Sequence, residues 1–220
     1  MATVEVTERL PHLDGSTMEY TDIPIHAGTL EVPFNKPLRL AAIAERTLEE
    51  RGTLLSLTHD LFVRNWSAIR FGPCIEGCVF ELELPSQPEV FSVLDGYLTV
   101  EFPPGPAHFH ICIGPTEGLG KGDHGGKTPP ALAKKRQCGR AAFFRTLAAG
   151  SCTPGSWGIR MWNGDGEQML SFFLPSPYLD DRLKRLREPD WSRLALWHEL
   201  RQRYLGERPE DQATTDPATA

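Results

Sequence analysis

Several signatures are missing from this sequence of 220 residues, and each absence excludes a class of protein. No apolar run is long enough to cross a membrane. The N-terminus lacks the basic and then apolar pattern of a secretory signal. Five cysteines, an odd number, argue against a disulfide scaffold, and a net charge of -6 argues against general nucleic-acid binding. We therefore expect a cytoplasmic protein with reduced thiols and with no membrane or nucleic-acid partner.

Composition along the chain predicts a single domain with an extension at each end. Hydrophobic residues make up 40% of the sequence, which is enough for a core. Residues 1–36 are rich in Pro, Gly and Thr and predict an extended N-terminal arm, whereas residues 207–220 lack bulky side chains and predict a disordered tail. Between them, residues 37–206 contain helical patterns separated from alternating strands. This predicts an α+β domain with a mostly antiparallel sheet and helices on one face.

A short hairpin carries the clearest polar pattern in the sequence. Two predicted strands, residues 98–102 and 107–113, are joined by a Pro-Gly-rich turn. Residues two apart on a strand face the same way, and one register keeps the apolar residues of both strands together on the other face. That register pairs Glu101 with His108 and Thr99 with His110. The shared polar face then consists of Tyr97, Thr99, Glu101, His108, His110 and Cys112.

Two imidazoles at this spacing suit a metal ion. His108 and His110 point in parallel from one strand, close enough to bind one ion together. A third ligand must come from elsewhere: either His124, in the Gly-rich loop of residues 114–128, or Glu101, which could instead orient an imidazole. Three protein ligands with an open position describe a catalytic centre. The competing interpretation is a polar sheet face whose histidines hydrogen-bond to neighbours on the same hairpin.

The segment from His108 to Gly114 resembles the short Phe-His-x-His-x-x-Gly strand of α-class carbonic anhydrases, in which two strand histidines bind zinc. The resemblance covers about seven residues and implies that His108 and His110 bind a metal ion from one strand. This sequence departs from the pattern at Cys112, and no later strand bearing a histidine supplies a third ligand. Cupin and metallo-β-lactamase patterns also use His-x-His, and neither is completed in this sequence.

A basic region follows the hairpin. Residues 121–160 contain eight lysines and arginines and a single acid, Asp123, in a chain that is acidic overall. Such a region favours an anionic ligand over a nucleic-acid surface. A predicted helix over residues 128–147 places Arg136 and Arg140 four residues apart on one face. These two arginines could hold a carboxylate or phosphate, or they could belong to a solvated face that pairs with the protein's own acids.

Together these patterns predict a metal-dependent enzyme for a small anionic substrate, in which zinc or non-haem iron activates water, oxygen or a carbonyl. The predicted metal ligands are His108, His110 and His124, the predicted proton-transfer groups are Glu101, Asp123 and Glu117, and the predicted substrate-binding residues are Lys127, Arg136, Arg140 and Thr99. One alternative is a non-enzymatic small-anion or cofactor-binding protein, or sensor, that uses the same polar face. Another is a structural partner protein that forms a homodimer through the aromatic helix predicted after Asp190.

Overall fold

A computed structural model describes the chain over residues 7–11, 17–32, 36–75, 78–103, 107–118, 127–147 and 155–207. The strands are β1 (Thr7–Pro11), β2 (Thr17–Asp22), β3 (Leu38–Arg39), β4 (Arg70–Gly72), β5 (Cys74–Ile75), β6 (Cys78–Val79), β7 (Leu82–Glu83), β8 (Val90–Leu94), β9 (Tyr97–Phe102), β10 (Ala107–Cys112), β11 (Cys138–Leu147), β12 (Trp157–Asn163) and β13 (Gln168–Phe173). The α-helices are α1 (Leu40–Ala44), α2 (Leu48–Arg51), α3 (Thr53–His59), α4 (Pro130–Arg136) and α5 (Ala195–Leu205). A π-helical turn covers Asp60–Arg64, and 3-10 helices cover Trp66–Ala68 and Trp191–Leu194. This mixture of helices with mostly antiparallel sheets confirms the predicted α+β class.

The chain divides into two compact units. The first contains residues 1–24, 141–160 and 171–220, and the second contains residues 25–140 and 161–170. The predicted N-terminal arm includes β1 and β2, whereas the predicted tail beyond Glu207 lies outside the described residues. The predicted domain bounds stay a prediction. Within the described ranges, no helix is both long enough and apolar enough to cross a membrane.

In the first unit, five strands follow the order β1-β2-β11-β12-β13. β2 and β11 pair antiparallel, with Phe144 opposite Tyr20. The predicted helix over residues 128–147 is wrong in its second half, because only Pro130–Arg136 is helical and β11 follows. Residues 141–144 are all buried, so the strand has no exposed face here. A strand buried on both faces lacks the two-residue alternation that would have predicted it.

The last helix packs within the first unit. The Asp190 carboxylate accepts a hydrogen bond from the Ser192 backbone N–H at 3.1 Å and caps the 3-10 helix Trp191–Leu194, which leads into α5. The Trp197 ring lies edge-on to Phe143, with ring centroids 5.3 Å apart, and Leu200 is fully buried. These side chains contribute to the protein's own core. The homodimer through this helix stays a prediction.

The second unit contains a four-stranded antiparallel sheet in the order β10-β9-β8-β3. Strands β8 and β9 are joined by Asp95 and Gly96, whose φ angles are +47° and +76°. Two successive positive φ angles give a hairpin turn whose twist matches the flanking strands, and Asp-Gly is among the pairs that adopt it most readily. This turn positions β8, a strand that apolar periodicity alone does not reveal.

Helical residues cover one face of this sheet, as the sequence predicts. Phe109 of β10 packs on Phe62 of the π-helical turn with ring centroids 5.2 Å apart, and Phe91 of β8 packs on His59 of α3 at 5.8 Å. Phe62 is fully buried. The core of the second unit therefore lies between this sheet and α3 with its following turn, and the other sheet face carries the polar residues.

Two elements that the sequence predicts as continuous are interrupted in the structure. The helical spacing of apolar residues over residues 37–52 predicts one helix, but the structure divides it, because Thr47 and Glu50 form a reciprocal capping box that starts α2. Gly52, with a φ of +75°, ends α2 and leads directly into α3. Alternation over residues 79–84 predicts a strand, which is also interrupted, since β6 ends at Val79 and β7 covers only Leu82–Glu83.

Candidate functional site

The β9–β10 hairpin has the register that the sequence predicts. The three polar pairs are Glu101 with His108, Thr99 with His110, and Tyr97 with Cys112. Leu98 and Ile111, which lie between them along the strands, are buried. Because successive residues alternate across a strand, the polar set lies on the opposite side of the sheet from Leu98 and Ile111, and Cys112 is its buried end. We call these six paired polar residues the hairpin face.

The two histidines of the hairpin face lie side by side and are exposed. The ring centroids of His108 and His110 are 5.1 Å apart and the ring planes are tilted by 64°. The Thr99 hydroxyl oxygen lies 2.8 Å from Nδ1 of His110, a hydrogen bond whose direction depends on the imidazole tautomer. Glu101, opposite His108, is also exposed. The face can therefore present imidazoles to a ligand, and one imidazole is oriented by a hydroxyl.

The register continues across the sheet and adds an arginine to this face. Thr99 pairs with Ser92 of β8, and Ser92 pairs with Arg39 of β3. Directly paired residues share a face of an antiparallel sheet, so Arg39, Ser92, Thr99 and His110 form one row across four strands. We call it the cross-strand row. Sequence reasoning missed Arg39 and Ser92, although the Asp95-Gly96 turn would have revealed β8 and with it the pairing to Thr99.

At the other end of the hairpin face, α4 contributes Arg136. The positive charge of Arg136 acts on the Tyr97 hydroxyl and lowers its pKa. Burial raises the pKa of Tyr97 above its ordinary value, and the charge of Arg136 opposes this only in part, so the phenol stays protonated. The predicted substrate-binding residue Arg136 is thus brought to the hairpin face.

The thiol of Cys112 is buried. Burial raises the pKa of its thiol, the nearby carboxylate of Asp95 acts in the same direction, and the thiol donates to the carbonyl oxygen of Gly114 at 3.4 Å. From the sequence, Cys112 could be a ligand or a nucleophile beside two imidazoles, or a packed residue, and its burial favours the packed residue. Burial likewise raises the pKa of Cys138 to about 12. Both residues are neutral, buried thiols at neutral pH.

We therefore expect Cys112 and Cys138 to resist alkylation of the folded protein at pH 8, while the exposed Cys78 reacts. The expected difference in rate is at least about 100-fold, because the thiolate is the reactive form and access is limited. Iodoacetamide labelling followed by peptide mass mapping measures it, with unfolded protein as the control. Equal labelling of Cys138 and Cys78 in folded protein would contradict this assignment.

The raised pKa of Cys138 also makes the free energy of unfolding depend on pH. Since burial raises this pKa from 9.0 to about 12, the stability that the neutral thiol contributes is complete below pH 9 and is lost as the pH rises towards 12.

The Gly-rich loop begins at a base that Asp95 holds. The Asp95 carboxylate accepts hydrogen bonds from the Thr116 hydroxyl at 2.8 Å and from the backbone N–H groups of Glu117 at 2.7 Å and Gly118 at 2.9 Å. The backbone N–H of Thr128 donates to the carbonyl oxygen of Glu117 at 2.9 Å, so the two ends of the loop meet. The side chains of the predicted site residues Glu117 and Lys127 are exposed near this base, whereas Asp123 and His124 lie outside the described residues.

Several basic side chains of residues 121–160 contact other side chains of the protein. Lys135 forms ion pairs with Asp165 at 3.0 Å and with Glu167 at 3.7 Å. The guanidinium of Arg140 lies 4.6 Å from the centre of the Trp162 ring, a cation–π contact. Arg140 lies in β11 and is not on a helical face with Arg136, because the helix ends at Arg136. A substrate-binding role for Arg140 stays a prediction.

Residues 41–206 match the model of one protein family, described as "Family of unknown function (DUF7676)". The chain belongs to this family. No curated protein matches the sequence. Among solved structures, the crystal structure of ChuX shares 17% sequence identity with this chain, and the alignment covers 69% of this chain and 72% of ChuX with a TM-score of 0.41. Neither similarity assigns an activity, and the function has to follow from the site itself.

The predicted metal-dependent enzyme is wrong. In the part of the chain that the structure describes, no three side chains of His, Cys, Asp or Glu are grouped as ligands for one metal ion. His108 and His110 lie on an open sheet face, where neighbouring strands contribute parallel side chains that do not converge from several directions on one point. Zinc or iron as a cofactor stays a prediction, because His124 lies outside the described residues. The geometry favours the alternative of a non-enzymatic binding protein.

Proposed function

We propose that this protein is a non-enzymatic binding protein, or sensor, that holds a small anionic molecule or cofactor on the hairpin face. The observation that carries the proposal is the cross-strand row, which places a guanidinium and an imidazole on one exposed sheet face. His108 stands beside the imidazole end of the row. A guanidinium donates in a planar fork that suits carboxylate and phosphate groups, and imidazoles add further donors.

The spacing of the row indicates the size of the ligand. Adjacent strands lie about 4.8 Å apart, so Arg39 and His110 are separated by three spacings, about 14 Å between backbones. Long side chains that lean inward can shorten this distance by several ångströms. A ligand that contacts both ends therefore carries several acceptor oxygens that point in different directions, as a polycarboxylate or a pyrophosphate group does. Thr99 supplies a hydroxyl group between the ends, whereas Ser92 is buried.

The test is isothermal titration calorimetry, in which the full chain is titrated with citrate and, separately, with pyrophosphate. We expect saturable binding that weakens as salt is added, because exposed charge pairs are screened. The double variant Arg39→Met/His110→Ala removes the guanidinium and the imidazole at the two ends of the row and should weaken binding by at least about 10-fold. Both positions are exposed, so the fold should be retained.

The matched control is Arg46→Met, which removes another exposed arginine that lies between α1 and α2 and forms an ion pair with Glu50. It should leave the affinity for citrate and pyrophosphate unchanged. The proposal fails if neither anion binds saturably, or if Arg46→Met weakens binding as much as the double variant does.

We further propose that the protein acts in the cytoplasm. In the described ranges, Cys78, Cys112 and Cys138 are reduced thiols. Reduced cysteines at exposed positions are typical of a reducing compartment.

A further inference from the structure

The second unit also contains a pocket of about 560 Å³ that shares no lining residue with the hairpin face or the cross-strand row. Its volume falls in the range of about 300–1,000 Å³ that small-molecule pockets usually have. Leu54, Leu55, Val93 and Ile113 supply apolar lining. Val93 follows Ser92 in β8 and so points to the opposite side of the sheet from the cross-strand row. The pocket is a separate feature of the fold.

One wall of the pocket is tied to the start of α3 by backbone contacts. The Thr53 N–H donates to the carbonyl oxygen of His26 at 3.0 Å, and the His26 N–H donates to the Thr53 hydroxyl at 3.0 Å. Ala27 forms a β-bridge with Gly52. A Cβ added at Gly28 would lie only 2.3 Å from the carbonyl oxygen of Glu50, so the two backbones touch. This wall is formed before any ligand arrives.

The facing wall is held in a similar way. The carbonyl oxygen of Gly96 accepts hydrogen bonds from the backbone N–H groups of Ile113 at 2.9 Å and Gly114 at 3.0 Å. Asp95, which also lines the pocket, uses its carboxylate to hold Thr116 and the two backbone N–H groups that follow. Because hydrogen bonds already fix both walls, the protein loses less conformational entropy when a ligand binds.

The described lining of the pocket includes a buried cation. Arg51, at the end of α2, is only 9% exposed and lines the pocket, whereas the acid Glu117 at its edge is exposed. The carboxylate of Asp95 is already an acceptor for three protein donors. A buried guanidinium attracts a carboxylate more strongly than an exposed one does, because water screens it less. We propose that this pocket binds a small molecule with an apolar body and a single carboxylate, which lies at Arg51.

Three probes with the same eight-carbon chain test the proposal on the full protein: octanoate, octanol and octylammonium. Calorimetric titration should show saturable, one-to-one binding with octanoate as the tightest of the three. Arg51→Met keeps an apolar side chain but removes the charge, and it should weaken octanoate binding by at least about 10-fold while octanol binding changes little. Retained octanol binding also shows that the pocket has kept its shape.

A second pair of variants addresses the case in which Arg51→Met fails to fold. Ile25 lines the pocket and is 39% exposed, so substitution there should be tolerated. Ile25→Glu adds a negative charge at the pocket and should weaken octanoate binding several-fold relative to Ile25→Gln, which has the same shape without the charge. Arg46→Met again serves as the control for an exposed arginine near α2.

The proposal is overturned if octanoate shows no saturable binding, or if octanol or octylammonium binds at least as tightly. It is also overturned if the glutamate and glutamine variants at Ile25 bind octanoate equally. These outcomes are independent of the hairpin face, because none of these variants changes a residue of that face.

Discussion

Replacing Arg160 with methionine is expected to lower the free energy of unfolding by about 3–5 kcal/mol, because two hydrogen bonds from a charged donor, each contributing roughly 1.5–3 kcal/mol, are lost. Arg160 is buried in the first unit, where Nη1 donates to the Tyr20 hydroxyl at 2.6 Å and Nε donates to the Ser171 hydroxyl at 3.0 Å. Its guanidinium also lies 4.9 Å from the centre of the Phe144 ring. Methionine fills part of the volume but donates to neither hydroxyl.

Guanidinium chloride unfolding of the variant, followed by circular dichroism, measures this effect. Arg160→Lys keeps a charge but lacks the planar fork, so its loss should be intermediate. Arg187→Met provides the matched control: Arg187 is exposed in the same unit, and its loss should change stability by less than about 0.5 kcal/mol. If Arg160→Met and Arg187→Met destabilise equally, the buried donors of Arg160 contribute nothing to the fold.

Asp95→Ala should have the second-largest effect, a loss of about 3 kcal/mol, because the buried carboxylate accepts three hydrogen bonds at the base of the loop. The Thr116 hydroxyl is itself buried and would lose this acceptor. Asp95 also has a φ of +47°, a conformation that aspartate tolerates better than alanine does. The lost hydrogen bonds and the unfavourable φ angle both lower the stability of Asp95→Ala.

Hydrogen exchange gives this prediction a local measure. The backbone N–H groups of Glu117 and Gly118 should exchange faster in Asp95→Ala, because their acceptor is gone. Asp95→Asn tolerates the positive φ but keeps only one acceptor oxygen, so its loss of stability should be smaller. Glu89→Ala, at an exposed acid just before β8, should change neither stability nor exchange at these two positions. Unchanged exchange in Asp95→Ala would contradict the role of this carboxylate.

The hairpin face could be predicted because its information is local. The alternation along β9 and β10 and the short turn between them specify both the faces and the register. The cross-strand row could not be predicted in the same way, since Arg39 reaches the face only through β8, which joins residues far apart in the chain. The Asp95-Gly96 pair is the local signal that would have helped.

Burial and the packing of distant segments explain why the sequence predicted a helix over residues 141–144 and a metal site on the hairpin. Residues 141–144 are buried on both faces in β11, and without alternation their aromatic side chains fitted a helical spacing equally well. The metal hypothesis depended on a third ligand from a distant segment, and the described residues do not bring one to His108 and His110. A sequence lists potential ligands, but convergence of side chains on one point depends on how distant segments pack.

The sequence by itself determined the α+β class, the register of the β9–β10 hairpin and the polar character of its outer face, because periodicity and turns act over a few residues. Only the tertiary structure decided that Arg39 and Arg136 join that face, that Cys112 is a neutral buried thiol, and that Arg51 lines a pocket on the other side of the sheet. Each of these depends on which distant segment excludes water or supplies charge, and the pattern of neighbouring residues contains no record of that.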